Sequence, residues 1–542
     1  MYSSRELNLL TRRQAPLLPL ALAMLFSFCA LKGFPFLEEG KVYFEILAVF
    51  FAALFIQIRT APKGPQKRFL PAILFLLLTA LSAAYFCQRT SSNPYPDWAP
   101  REAKLKLDIL SASENAKGTS YGIARVMEAP KYFSKVEGKK VWFFLNNTSD
   151  LFKGQQAGAN FIVRQNKNES GFERYLDAQD INFIVSSGHD ISVGKAPPPY
   201  SFFKAGKKFV SDRLSVLPEN CDKNSAGARA YRAMILGDKA LLSKDSQSDF
   251  SKTGTMHIFA VSGLHVGMLA FVVFLLLNFL RTPKRLQPFL CLPIVYLYVN
   301  ICQAKPSAMR AFLMIAFVWI SVALLRKPKP FAGLVAAFIF TLILNPHTIF
   351  DAGFELSYMI VCAILLYAVD LNDELNDAIE RRAGFSLKNP PFYRRALDKI
   401  RRYIVAALSI SFAATLASAP LTAAYFNYVA PLGMLFSLAY VFLATLVVAL
   451  AALAILLPDF ILQYTNLVAS KIMQFMIRGA EFGADLNCTL DFSISKSALF
   501  ASVCINIFAL LYFTKVKGRA KWLVFPGASA FGLTGAYLAG QI

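Results

Sequence analysis

Two histidines stand in a stretch that otherwise reads as membrane. His257 closes a polar segment, and His265 follows Ser262-Gly263-Leu264 inside an apolar run that continues to Leu280. In hydrocarbon an ionisable side chain persists mainly where it faces a protein interior or an aqueous cavity, and a Ser-Gly interruption frees carbonyls that need the same lining. Such groups can donate hydrogen bonds to an anion, relay a proton or ligate a metal. The two rings lie about 80° apart around a helix and no third ligand is near them in sequence, so a lining or hydrogen-bonded role is expected and a metal site is not. Arg310, a few residues inside a second apolar run, either snorkels to the interface or lines a polar route. Asp351 and Glu355 head a third run four residues apart, on one helical face. Capping accounts for Asp351, whereas Glu355, deeper in, is expected on the route. Asp238, after Gly237, is expected to organise a turn or cap a helix.

These residues need a scaffold, and composition says which kind. The chain has 542 residues, 56% hydrophobic and 17% charged, with mean hydropathy +0.45. Many apolar runs approach the roughly 20 residues that span a bilayer, which excludes a soluble enzyme. Net charge is +23, consistent with a polyanionic partner or anionic membrane lipids once the Lys/Arg of cytoplasmic loops are discounted. Six of the eight cysteines lie in or beside apolar runs, Cys221 and Cys488 being the others, and no metal spacing or disulfide framework is evident.

Taken in order, residues 1–88 read as three spans (Ala15 to Leu31, Val42 to Ile58, Phe69 to Phe86), with a cytoplasmic N-terminus by their flanking Arg and Lys. Residues 89–200 then lie on the outer face. Short alternating runs there (LKLDIL, SYGIARVMEA, KKVWFFLNN, ANFIVRQ, INFIVSSG), separated by glycine turns, predict a five-stranded OB-like β-barrel. Aromatics interleave with Lys131, Lys139, Lys140, Trp142 and Arg164, the mixture a single-strand groove needs; alternatively the aromatics are barrel core and the lysines a solvated face. Residues 201–232 give a basic amphipathic helix for the membrane surface, Phe202 to Leu217, and a linker. The remainder, 233–542, carries the later spans, a mixed-charge insert from Asp370 to Arg402 that could form a helical hairpin, a hydroxyl-lined run with Ser418, and Pro420 as a break. Positive-inside accounting favours a polytopic α-helical membrane protein with about 11 spans and one re-entrant run near Pro420 to Pro431.

At this point the motifs themselves resemble a known family. The string ILGDKALLSKDSQSDFSKTGTMHIFAVSGLHVG (Ile235 to Gly267) is similar to the LLLGDxxxLS…FxxxGxxHLLAISGLHVG signature of the ComEC competence family. KPSAMRAFLM (from Lys305), DAGFELSY (from Asp351), FAATLASAPL (from Phe412) and GFERYLDAQDINFIV (from Gly171) resemble further family elements in the family's order. Glu355 and Ala352 stand where the family usually has Gln and Pro. The resemblance implies an inner-membrane channel that admits single-stranded DNA to the cytoplasm. On it, the path residues are His257, Ser262, Gly263, His265, Arg310, Glu355 and Ser418, and the motif positions Gly237, Asp238, Gly254, Ser307, Asp351, Gly353 and Pro420. Many members carry a metallo-β-lactamase-like domain with a HxHxDH cluster. This chain has four histidines and no such string, so nuclease chemistry is not expected of it, nor is a cofactor. A phosphate-binding G-x-x-x-x-G-K-S/T loop is absent too, so a cytoplasmic translocase is expected to pull, with an outer DNA receptor or nuclease and a possible homodimer as further partners. The competing readings are a small-molecule or lipid-linked secondary transporter using His265, Arg310 and Glu355, and a membrane hydrolase using His257 and Asp238, for which no nucleophile elbow or zinc motif speaks.

Overall fold

Alternation of period two gives way near residue 200 to helical periodicity, and the backbone follows it. The computed structural model describes residues 101–114, 119–146, 151–166, 181–187, 191–324, 329–383, 392–426 and 433–486, with shorter pieces elsewhere. Six strands come first: β1 (Arg101–Glu114), β2 (Ser120–Glu128), β3 (Lys140–Leu145), β4 (Gln156–Gln165), β5 (Phe183–Ser187) and the short β6 (Ser192–Val193). Helices follow: α1 (Tyr200–Leu214), α2 (Ala226–Leu236), α3 (Lys244–Lys252), α4 (Gly263–Phe279), α5 (Gln287–Ile301), α6 (Pro306–Ala323) and α7 (Pro330–Leu344). Then come α8 (Ala352–Ala363), joined by a π-turn at Ile364–Ala368 to α9 (Val369–Ala383), α10 (Phe392–Phe426), α11 (Gly433–Ala454) and α12 (Asp459–Asp485). The chain divides into two compact units, Ser92–Pro328 with Ala439–Asn487, and Lys329–Leu438 with Met1–Ser91 and Cys488–Ile542.

The barrel is closed. β1 pairs with both β2 and β4, β3 runs parallel to β5, and β5 pairs with β4, so the ring runs β1-β2-β3-β5-β4 and back to β1, the OB order. Closure removes the open edges that a five-stranded sheet would otherwise present. Each expected run supplies one strand, and the inward positions (Leu105, Leu107, Ile109, Val126, Val141, Phe143, Phe161, Val163, Phe183, Val185) form its core. The aromatics therefore divide: Phe133, Phe143 and Phe161 fill the interior, Tyr132 is exposed, and Trp142 with Phe144 packs outside the ring on a small cluster of Leu176, Ile181 and Ile184.

Among the described residues, four helical stretches are long and apolar enough to cross a membrane: Pro306–Ala323, Ala352–Arg381, Ala396–Ala423 and Gly433–Ala454. Three shorter apolar helices, Gly263–Phe279, Gln287–Ile301 and Pro330–Leu344, accompany them among the described residues. This is a helical membrane protein with an inserted barrel. The three spans expected before residue 88 and the apolar run at 496–514 lie wholly or mostly outside the described residues, and of the last apolar run, 522–539, residues 522–530 are described, as helix. The charged insert is a hairpin as expected: Glu380 on α9 accepts from Arg401 and Arg402 on α10 at 3.1 and 2.9 Å.

Two expected breaks are not breaks. α10 runs through Pro420 and ends at Phe426, so the chain is not interrupted at the proline itself. A proline frees the carbonyl four residues back, and in a membrane a neighbour must satisfy it. Here the buried Ser529 hydroxyl donates to the Leu416 carbonyl at 2.8 Å. Likewise Ser262-Gly263 does not interrupt a span: Ala260 and Ser262 are extended, and the helix begins at Gly263.

Core and surface aromatics of the barrel should separate in stability. Phe143→Ala should cost about 3–5 kcal/mol and Tyr132→Ala within about 0.5 kcal/mol. Hydrogen exchange across the strands in the detergent-solubilised chain reads the difference.

Candidate functional site

The last carbonyls of a helix have no partner within it, and α2 ends buried. Gly237 turns the chain there at φ 66°, its amide and that of Asp238 both donating to the Ala233 carbonyl. Only a residue without a side chain fits, since a Cβ would lie 2.5 Å from Val261 Cγ2. Side chains from the end of α5 and the head of α6 meet two of the carbonyls at this end. Tyr298 on α5 donates to Ile235 at 2.8 Å, with the Cys302 thiol on the same oxygen at 3.7 Å. Lys305, just before α6, donates to the Gly237 carbonyl.

The SGLH motif belongs to this junction. Ser262 is the N-cap of α4, its Oγ accepting from Leu264 N at 3.3 Å, and His265 completes a capping box by accepting from Ser262 N on Nδ1 at 3.3 Å. Nδ1 is therefore the lone-pair nitrogen and Nε2 carries the proton. The ring is buried at 1% exposure close to the Met234 backbone, and Nε2 makes no hydrogen bond among the described residues. Ser307 on α6 closes the loop, donating to the Val261 carbonyl at 2.6 Å. At Gly263 an added Cβ would make only an ordinary contact, 3.7 Å from the Ala311 side chain of α6. Arg310, one turn beyond Ser307 on the same face, is 3% exposed, so it does not snorkel.

Gly237, Asp238, Ser262, Gly263, His265 and Ser307 thus come together. Gly254 and His257 form a separate, more exposed corner: Gly254 turns the chain at φ 69° after α3, and its carbonyl contacts His257 Nδ1 at 3.1 Å. Asp351, Gly353, Glu355, Ser418 and Pro420 belong to the other compact unit. There Asp351 caps α8 by accepting from Phe354 N at 2.9 Å, with Gly353 exposed in the first turn. Glu355 accepts a hydrogen bond from Tyr425, and Ser418 Oγ donates to Thr415 O in its own helix at 3.3 Å.

Charge gathers where the barrel meets α1 and the end of α2. Asp238 caps the following turn through Ala240 N and holds Lys207 of α1 at 3.1 Å. Tyr121, on the outer face of β2 with its ring 6.1 Å from Trp142, has its hydroxyl pKa raised by burial and by the Asp238 carboxylate. Burial pushes the Lys153 ammonium pKa down, with Asp108 partly opposing. Lys131 and Arg164 are exposed, Lys139 and Lys140 half-buried, and Arg125, directly opposite Lys140, adds a cation that sequence reasoning did not single out. Also missed were the roles of Lys207, Tyr425 and Asn466, whose partners lie far off in the chain or on another element.

Comparison with known proteins places this junction in a family. A family model described as "Competence: Competence protein" matches residues 234–518, which is more than half of the chain. ComE operon protein 3 of Bacillus subtilis (strain 168) is 29% identical over 198 residues, covering 36% of this chain and 24% of that protein. No solved structure matches the chain.

The close approach at Gly237 gives a sharp contrast in stability. Gly237→Ala forces a side chain into the left-handed region against Val261 and should cost about 2–4 kcal/mol. At Gly267 of the same motif an added Cβ meets nothing within 4 Å, so Gly267→Ala should be neutral or stabilising by up to about 1 kcal/mol. Thermal unfolding of the purified chain in detergent reads both.

Proposed function

Because the chain belongs to the Competence protein family, we propose that it acts in DNA uptake for transformation as an inner-membrane channel for single-stranded DNA. The observation that carries this reading is a closed five-stranded OB-order barrel built into the same compact unit as the family's signature junction. A single strand carries about one charge per nucleotide, so crossing a bilayer demands a hydrated, positively biased route that also releases what it binds. The barrel suits reception. Tyr121 and Trp142 offer ring faces, and Arg125, Lys131, Lys139, Lys140 and Arg164 offer charge, the combination that binds single strands with little sequence preference.

In this proposal the protein is multi-pass, with about 11 spans, a cytoplasmic N-terminus and residues 89–230 on the outer face. A cytoplasmic translocase pulls, an outer receptor or nuclease delivers the strand, and the channel works alone or as a homodimer. Within the junction His265 has the role of a cap that shapes the route, and Arg310 supplies positive charge beside it.

Deletion of the gene should leave DNA binding at the cell surface intact while abolishing arrival of labelled DNA in the cytoplasm. Normal import without the protein would contradict the channel reading. On the purified full chain, Lys139→Gln with Lys140→Gln should weaken oligonucleotide binding and flatten its salt dependence by about 0.7 in slope for each phosphate no longer neutralised.

A further inference from the structure

The barrel is not tethered loosely to the helices. Gly154, at φ 82°, lies against the Tyr200 ring at the head of α1, so closely that a Cβ there would sit 2.1 Å from the ring. Gln155, 6% exposed, spends its amide on the same seam. Its Oε1 accepts from Phe152 N at 2.7 Å and from Lys204 Nζ of α1 at 3.5 Å, while Nε2 donates to Gly194 O at 3.0 Å. A shallow pocket opens here, lined by Gln155, Lys195, Ser201 and Lys204 among others.

From this pocket lysines continue along α1 toward the end of α2. Lys204 and Lys207 lie three residues apart on one face of α1. Lys207 reaches Asp238, and Lys305, which interacts electrostatically with Asp238, Lys207 and Lys239, stands at the start of α6. Lys207, Lys239 and Lys305 stand about the single carboxylate of Asp238, an excess of +2, and the positive end of the 18-residue helix α6 adds to it. Lys239 is exposed and the Lys207–Asp238 pair retains access to solvent, so an anion can reach them. Mutual repulsion among Lys207, Lys239 and Lys305 opposes the compact state, and Asp238 is the carboxylate that the described residues set against them. Tyr121 of the barrel feels the same Asp238, which joins the aromatic outer face of β2 and β3 to the head of this lysine row.

We propose that Lys204, Lys207, Lys239 and Lys305 form a track for the phosphodiester backbone of single-stranded nucleic acid, laid along the seam between barrel, α1 and the end of α2. The track rests on the DNA-import reading and names where the strand passes from the barrel to the membrane helices. Asp238 is its negative regulator, holding Lys207 by an ion pair that phosphate must displace.

The test uses the full chain in phosphatidylcholine nanodiscs and a fluorescent oligothymidylate titrated over a range of salt. Combined Lys204→Gln, Lys207→Gln and Lys239→Gln should weaken binding and flatten the slope of log affinity against log salt by about 2. Lys305 is left in place because it also holds the Gly237 carbonyl. Asp238→Asn, which keeps the oxygen that caps the next turn, should tighten binding roughly two- to fivefold; an unchanged or weaker affinity would overturn the regulatory role. If the wild-type chain binds no oligonucleotide, the import reading itself fails. If it binds, and barrel substitutions at Lys139 and Lys140 weaken it while the triple variant does not, the track alone is overturned. Loss of phosphatidylglycerol retention in the triple variant with an unchanged oligonucleotide slope would assign these lysines to lipid headgroups and overturn the track as well.

Discussion

Burying the carboxyl end of a helix is the constraint around which the larger compact unit is arranged. A carbonyl left without a donor in an apolar surrounding costs several kcal/mol, and the α2 end has several to satisfy. Two later elements answer with hydrogen bonds, α5 through Tyr298 and Cys302 and the head of α6 through Lys305, while His265 of α4 packs its ring close to the same helix end. The donors fix where each helix must begin or end. Ser262 starts α4 where His265 can reach back, and Ser307 ties the same connection to α6 through the Val261 carbonyl. Asn466 of α12 serves the other side of α2, donating to the Arg213 and Val216 carbonyls and accepting from Tyr231. Arg213 in turn donates to the Leu457 carbonyl and pairs with Asp459 at the head of α12. A short helix thereby sets the register of its neighbours.

The same arrangement explains why a polar junction and a basic surface sit together. Lys305 is both a donor to Gly237 and a member of the lysine group around Asp238, so the residue that closes the helix end also charges the surface above it. α1 bridges the two. Its inner face buries Val210 and Leu214, whereas Phe202 and Phe209 remain exposed beside Lys208, a face fit for the headgroup region of a bilayer. Fixed to the barrel by Tyr200 and Gln155, α1 gives the barrel a defined bearing within its unit rather than a free swing on the Pro197 to Pro199 segment.

Much of this was legible in the residues. Strand alternation and glycine turns are local, so all five barrel strands could be read directly, and the apolar runs from residue 263 to 454 gave the helices. The aromatics on those strands could not be assigned one by one, because inward and outward positions differ by a single residue. Phe143 went to the core and Trp142 to the outer face. Pro420 and Ser262-Gly263 misled for a different reason: what decides whether a break forms is a donor far off in sequence. Ser529 supplies it for Leu416 and Ser307 for Val261. The two histidines look alike in sequence, yet one caps a buried helix start and the other lies exposed after Gly254, a distinction set wholly by chain path.

The most direct test of this account is photocrosslinking during uptake. A photoreactive residue at position 239 or 121, in cells importing labelled DNA, is expected to attach single-stranded DNA, while one at Phe279, 84% exposed at the far end of α4, is expected to attach none. Labelling at 279 equal to that at 239, or none at either 239 or 121 while import proceeds, would contradict passage of the strand along this junction.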